Sequence, residues 1–202
     1  MASSTPVPAP LILVLGGARS GKSDYALELA RQLAGDRPVL FVATAQAGDQ
    51  EMAQRIQRHR QERPSHWQTL EAPTGVGQAL TTHLVRASGP EPGVILLDCL
   101  TLLVSNVLLG HPDPAAEGEA ASWARLQQEL EGLLEAHRLL GRPFILVSNE
   151  VGLGIVPGDP LSRLYRDLLG RANRHLVQAA DQAVFLLAGI PLDLKALQAR
   201  LP

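Results

Sequence analysis

Leu11-Ile12-Leu13-Val14-Leu15-Gly16-Gly17-Ala18-Arg19-Ser20-Gly21-Lys22-Ser23 decides how this chain is read. The unbroken apolar run from Leu11 to Leu15 predicts a strand buried on both faces, as in a parallel sheet. Gly16 to Ser23 then match G-x-x-x-x-G-K-[ST], the P-loop pattern. Ser23 to Leu33 is spaced for a helix, with Ala26, Leu27, Leu29, Ala30 and Leu33 on one side. The pattern alone arises by chance; its place between a strand and a helix gives it weight against the plainer reading, a glycine-rich turn with an exposed lysine. Each part has a chemical task. Gly16, Gly17 and Gly21 let the backbone curl, so that the N–H groups of Ala18, Arg19 and Ser20 point at phosphate oxygens. The helix N-terminus adds partial positive charge. Lys22 reaches the β- and γ-phosphates of ATP or GTP, and the Ser23 hydroxyl is a ligand for Mg²⁺.

Outward from this stretch, apolar runs alternate with amphipathic ones. Strands are predicted at Val39 to Val42, Val94 to Leu97, Phe144 to Val147 and Ala183 to Leu187. Helices are predicted at Gln50 to Gln61, Ser122 to Leu140 and Leu161 to Ala180. That rhythm implies an α/β fold: a P-loop NTPase with a mostly parallel sheet, right-handed crossovers and flanking helices, resembling the RecA type. Asp98 closes the third strand and is expected beside the metal, at the end of a strand neighbouring the P-loop strand. A carboxylate capping a turn is the alternative. Ala87 to Gly93 reads as a linker and Gly110 to Gly118 as a mobile surface loop.

The whole composition narrows the function. A chain of 202 residues suits one packed domain over residues 11–202, after a floppy, proline-rich arm from Met1 to Pro10. A net charge of -2 without a basic stripe argues against a nucleic-acid partner. The one cysteine, Cys99, permits no internal disulfide, which suits the cytoplasm. No run is long enough to span a bilayer.

A second constellation lies in Asp49-Gln50-Glu51-Met52-Ala53-Gln54-Arg55-Ile56-Gln57-Arg58-His59-Arg60-Gln61-Glu62-Arg63-Pro64. Glu51, Arg55 and His59 share one helix face. Arg58, Arg60 and Arg63 surround His59 with positive charge, which suits a polyanion and favours the neutral, nucleophilic imidazole. From spacing alone, a solvated helix laced with salt bridges and an idle histidine is the favoured reading.

The P-loop block, Ala43-Thr44-Ala45, the Glu51-to-Trp67 block, Leu97-Asp98-Cys99-Leu100-Thr101 with Val104-Ser105-Asn106, Val147-Ser148-Asn149-Glu150-Val151-Gly152-Leu153-Gly154-Ile155-Val156-Pro157, and Tyr165-Arg166-Asp167 with Gly170-Arg171-Ala172-Asn173 together resemble one family. It is the bifunctional adenosylcobinamide kinase / adenosylcobinamide-phosphate guanylyltransferase family of the cobalamin pathway. The likeness runs from about Leu11 to Lys195. It implies that the terminal phosphate of ATP or GTP moves to the aminopropanol hydroxyl of adenosylcobinamide. GMP from GTP is then placed on that phosphate through a GMP–histidine intermediate, and His59 stands at the matching place. It also implies that Ala43, Thr44, Ala45, Arg60, Gln61, Glu62, Arg63, Glu71 and Asp98 join the P-loop around the guanine nucleotide, and that the enzyme is a homotrimer. A carboxylate at Glu71 accepts both N1–H and the exocyclic amine of guanine, which adenine does not offer. A surface acid at a strand end is its plainer reading. Asn149 to Gly152 is expected to face the phosphates or the corrinoid. His66 is expected to pack rather than react, and Leu103 stands where a larger aromatic is expected. A small-molecule kinase without the transferase step is the rival reading, and a motor ATPase the rival of another class.

Overall fold

The computed structural model describes residues 9–199 except 47, 49, 62 and 88, with backbone alone at 51, 52, 55, 58 and 59. The arm at 1–8 therefore lies outside the described residues, as do Glu62 and the His59 side chain.

Apolar runs become the sheet's interior because only strands covered on both faces can bury every side chain. β1 (Leu11–Gly16), β2 (Val39–Ala43), β4 (Val94–Asp98) and β5 (Phe144–Asn149) are nearly wholly buried. β3 (Gln68–Glu71), β6 (Gln182–Leu187) and β7 (Ile190–Asp193) complete a sheet of order β3-β2-β4-β5-β1-β6-β7. All neighbours run parallel except β6 and β7. Alternation sends Leu11, Leu13 and Leu15 to one face and Ile12 and Val14 to the other.

The two faces are covered unequally. α1 (Lys22–Ala34) lays Ala26, Ala30 and Ala34 on one, with Trp67 completing that cluster. The other carries α3 (Val76–Arg86), α4 (Leu100–Leu109), α6 (Glu119–Leu140) and α7 (Pro160–Ala179) over a larger core. Here α3 and α6 meet backbone to backbone. A Cβ added at Gly77 would lie 2.1 Å from the Gly132 carbonyl oxygen. The Glu129 carboxylate accepts from the Gly75 and Val76 N–H groups, each at 2.8 Å, and so caps α3 from α6.

α2 (Gln50–Gln61) is found over the bounds its pattern predicts. Three departures from the sequence reading have physical causes. The stretch Gly110 to Gly118 is not all loop: Pro114–Glu117 form a helical turn, α5, capped when Asp113 Oδ1 accepts from Ala116 N at 3.0 Å and tied down by the Glu117–Arg125 ion pair. α4 escapes periodicity because it is apolar nearly all round, and Leu103 is fully buried in it without need of an aromatic ring. β7 follows a two-residue turn whose Ala188 and Gly189 both adopt positive φ, 51° and 84°, a hairpin form for which Ala-Gly is a weak sequence signal.

Candidate nucleotide site

The P-loop lies where ligands meet open α/β sheets, past the C-terminal strand ends. Gly21, φ 86°, turns the chain directly into α1, and Lys22 Nζ donates to the Gly17 carbonyl at 3.0 Å. A side chain at Gly16 would collide with Ser20 Oγ at 2.5 Å and with the Leu186 carbonyl at 2.9 Å, so the loop closes tightly on its own strand. Gly189 N donates to the Ser20 carbonyl at 3.1 Å, so the β6–β7 turn props the loop from behind. Ser20 Oγ is buried with no hydrogen-bond partner among the described residues. Ala18 and Arg19 are exposed at its tip, and Arg19 has φ 56°.

An open cleft of about 270 Å³ brings Arg19, Ser20, Gly21, Lys22 and Ser23 together with Asp98. Its remaining walls are Asp24, Leu27, Phe41 and Arg63. Asp98 corrects one expectation: its strand does not neighbour β1, because β5 lies between them. It still reaches the cleft because β4 ends at Asp98, paired with Val147, and so presents its terminal side chain one pleat short of Asn149, which pairs with Gly16. The oxygen pair of Ser23 and Asp98 fits Mg²⁺, which takes few protein oxygens and completes its shell with water and phosphate. The described residues hold no cluster of three or more His, Cys, Asp or Glu of the kind an all-protein metal cage needs.

The remaining predicted residues divide. Thr44 is fully buried, and its hydroxyl is committed: it donates to the Cys99 carbonyl at 2.7 Å and accepts from Cys99 N at 3.0 Å. Asn106 adds bonds to the carbonyls of Thr44 at 2.8 Å and Pro73 at 2.9 Å. Thr44 therefore clamps the end of β2 to the end of β4, beside the cis Asp98–Cys99 peptide, and Ala43, Thr44 and Ala45 are not among the described walls of the cleft. Arg60 and Glu71 meet at 3.9 Å, both exposed, while Gln61 is exposed on the end of α2. The Arg63 guanidinium lies 3.4 Å from the Phe41 ring centroid, a cation–π contact that places it over the cleft floor. Phe41, Leu27 and Asp24 were missed in the sequence. Only Asp24, adjoining the motif, carried a signal there.

Asn149 to Gly152 leave the sheet against the P-loop. Glu150 N donates to the Gly16 carbonyl at 3.1 Å. Asn149 N donates to Thr101 Oγ1 at 2.9 Å, and its carbonyl accepts from Asn173 Nδ2 at 2.9 Å. Ser148 Oγ in turn donates to Asn173 Oδ1 at 2.7 Å, a buried brace between β5 and α7. Burial, then the Asp98 charge, pushes the Cys99 thiol up to about 11, so it is a poor nucleophile at neutral pH. Burial pushes Tyr165 up to about 12. His66 is exposed, and it is Trp67 that packs.

A phosphate cradle at the C-terminal strand ends of a mostly parallel sheet, with lysine and hydroxyl opening a helix and a carboxylate across the cleft, defines a P-loop nucleotide-binding fold. A solved ATPase domain superposes with TM-score 0.53 at 19% identity, covering 87% of this chain and 68% of that one, which supports the fold. Residues 12–194 match the family model of cobinamide kinase / cobinamide phosphate guanyltransferase, and the chain belongs to that family. The bifunctional adenosylcobalamin biosynthesis protein CobU of Salmonella typhimurium is 41% identical over 92% of this chain and 99% of its own length. CobP of Pseudomonas aeruginosa is 43% identical over 91% and 96%. CobU of Escherichia coli is 40% identical over 92% and 99%. Membership makes the chain an enzyme with kinase and guanylyltransferase activities. No helix among the described residues is long and apolar enough to cross a membrane.

Proposed function

We propose that this enzyme phosphorylates the aminopropanol hydroxyl of adenosylcobinamide with ATP or GTP and then caps the product with GMP from GTP. In the first step the substrate oxygen attacks the γ-phosphorus, and the bond to the β-phosphate oxygen breaks. P-loop N–H groups and Lys22 hold the charge that shifts onto the leaving diphosphate. Mg²⁺, held by Ser23 and Asp98, would neutralise phosphate charge there. In the second step a nitrogen of His59 attacks the α-phosphorus of GTP and pyrophosphate leaves. The new substrate phosphate then displaces His59 to give adenosylcobinamide-GDP. Glu71 reads the guanine edge, and Arg60, Gln61, Glu62 and Arg63 with Ala43 to Ala45 shape the guanine nucleotide's surroundings. The working unit is a homotrimer in the cytoplasm, each chain forming one domain over residues 11–202.

The cleft shared by Lys22, Ser23 and Asp98, within a chain of this family, is the observation that carries the reading. Intact-mass measurement after incubation with GTP tests it. A GMP adduct is expected on the wild type and not on His59→Ala, which keeps kinase turnover. Guanylyl transfer at a near-normal rate by His59→Ala would overturn the covalent route. Loss of both activities would make α2 part of the kinase site instead. A wild type that phosphorylates but forms neither adduct nor adenosylcobinamide-GDP would leave a plain small-molecule kinase.

A further inference from the structure

The segment between β5 and α7 is an odd piece of surface. Leu153 is 83%, Ile155 97% and Val156 61% exposed, in a loop with no charged side chain from Val151 to Gly158. Scattered exposed leucines are ordinary, but three large apolar side chains within four positions on a tethered loop are not. The tethers lie at both ends. Gly152 N donates to Glu150 Oε1 at 2.5 Å, and Val151 packs on the larger core. Arg163 donates to the carbonyls of Pro157 at 3.0 Å and Gly158 at 2.7 Å. Asp159 Oδ1 accepts from Ser162 N at 2.8 Å and starts α7.

Its origin says what covers it. The loop begins one residue after Asn149, the register partner of Gly16, and Glu150 N is bonded to the Gly16 carbonyl. The base of the loop is thus bonded to the residue at which the P-loop leaves its strand. The nucleotide is polyanionic and is matched by the cleft of Arg19 and Lys22, not by an uncharged loop. The other reactant is a corrinoid, a reduced tetrapyrrole with broad hydrocarbon faces and a rim of neutral amides. We propose that the loop is the docking surface for this macrocycle, which covers Leu153, Ile155 and Val156 while its aminopropanol arm reaches the P-loop. Exposed backbone at Gly154 is available to the rim amides.

This rests on the kinase reading above, and the test separates the two. Leu153→Ser and Ile155→Ser are combined in the full chain, and equilibrium dialysis with adenosylcobinamide is run beside steady-state kinase assays. The KM and Kd for the corrinoid are expected to rise at least about tenfold, from the lost apolar contact. The nucleotide KM, the melting temperature and the sedimentation coefficient are expected to stay put. A ring-free N-acyl aminopropanol should be phosphorylated equally by both proteins. Unchanged corrinoid affinity overturns the docking surface, as does a fall in the sedimentation coefficient, which would assign the loop to contact between copies of the chain. A wild type that binds the corrinoid but never phosphorylates it would sink the kinase reading and leave the surface standing.

Discussion

At the scale of single residues, the site is a set of groups held ready by bonds that a ligand must replace. Lys22 illustrates this: its ammonium donates to the Gly17 carbonyl at 3.0 Å, which keeps it over the loop until phosphate oxygens compete for it. Lys22→Ala removes the charge aimed at the leaving diphosphate. Kinase kcat/KM should fall by more than ~100-fold, in line with deleting one preorganised stabiliser of transition-state charge. The melting temperature should fall by no more than a few degrees, since a part-buried hydrogen bond such as that to Gly17 contributes about 1 kcal/mol. Unchanged turnover would remove the P-loop from the mechanism. Residues of this kind were readable in sequence because their chemistry is local. The Arg63–Phe41 stack was not, since its partners come from separate elements and only the fold sets them 3.4 Å apart.

At the scale of elements, the α3–α6 contact shows how strictly backbone approach is specified. On helix propensity alone, Gly77→Ala would stabilise α3 by about 1 kcal/mol. The structure predicts the opposite sign, because the new Cβ would sit 2.1 Å from a backbone oxygen of Gly132 and no flexible side chain can yield. Overpacking of this sort costs about 1–3 kcal/mol, so a net loss of a few degrees in Tm is expected, read by thermal melting. A rise in Tm would show that α3 and α6 do not touch there. Neither glycine announced this in the sequence: a mid-helix glycine reads as a weakness until its neighbour is known. α3 itself went unpredicted for a related reason, since its first turn borrows a cap from Glu129 and lacks a local one.

For the whole molecule, the two cores on either side of the sheet shield one ionisable group each: Cys99 packs against the smaller core and Tyr165 against the larger. The folded values of Cys99 and Tyr165 stand above their ordinary 9.0 and 10.0, at about 11 and about 12. With folded values raised, the stability is complete below the unfolded values and drains as pH rises through the folded ones. Denaturant midpoints should therefore fall from about pH 9 to about pH 12. Tyr165→Phe should lose the 3.2 Å hydrogen bond to the Thr101 carbonyl at every pH, yet flatten the upper part of that fall. A wild type as stable at the top of that range as at neutrality would mean that neither group is shielded by the fold.

The sequence by itself determined the P-loop, the buried strands and the α/β class, because each rests on near-neighbour chemistry: apolar runs, glycine freedom and a lysine–serine pair at a helix start; the family followed from resemblance along residues 11–195. It placed Asp98 on the right kind of strand but beside the wrong one, since strand order depends on which crossovers pack, and β5 enters between β4 and β1. It named Thr44 but not the partner of its hydroxyl, which the fold ties to Cys99, 55 positions away. The short edge strands β3 and β7 and the all-apolar α4 carry too little periodicity to be read, and burial against distant partners alone decides them. Beyond Asn149 the sequence suggested only that Asn149 to Gly152 face a ligand, and the exposure of Leu153, Ile155 and Val156 emerged with the fold. That this loop is held at both ends is a fact of tertiary structure, because Arg163 and Gly16, which bond its two ends, lie outside it.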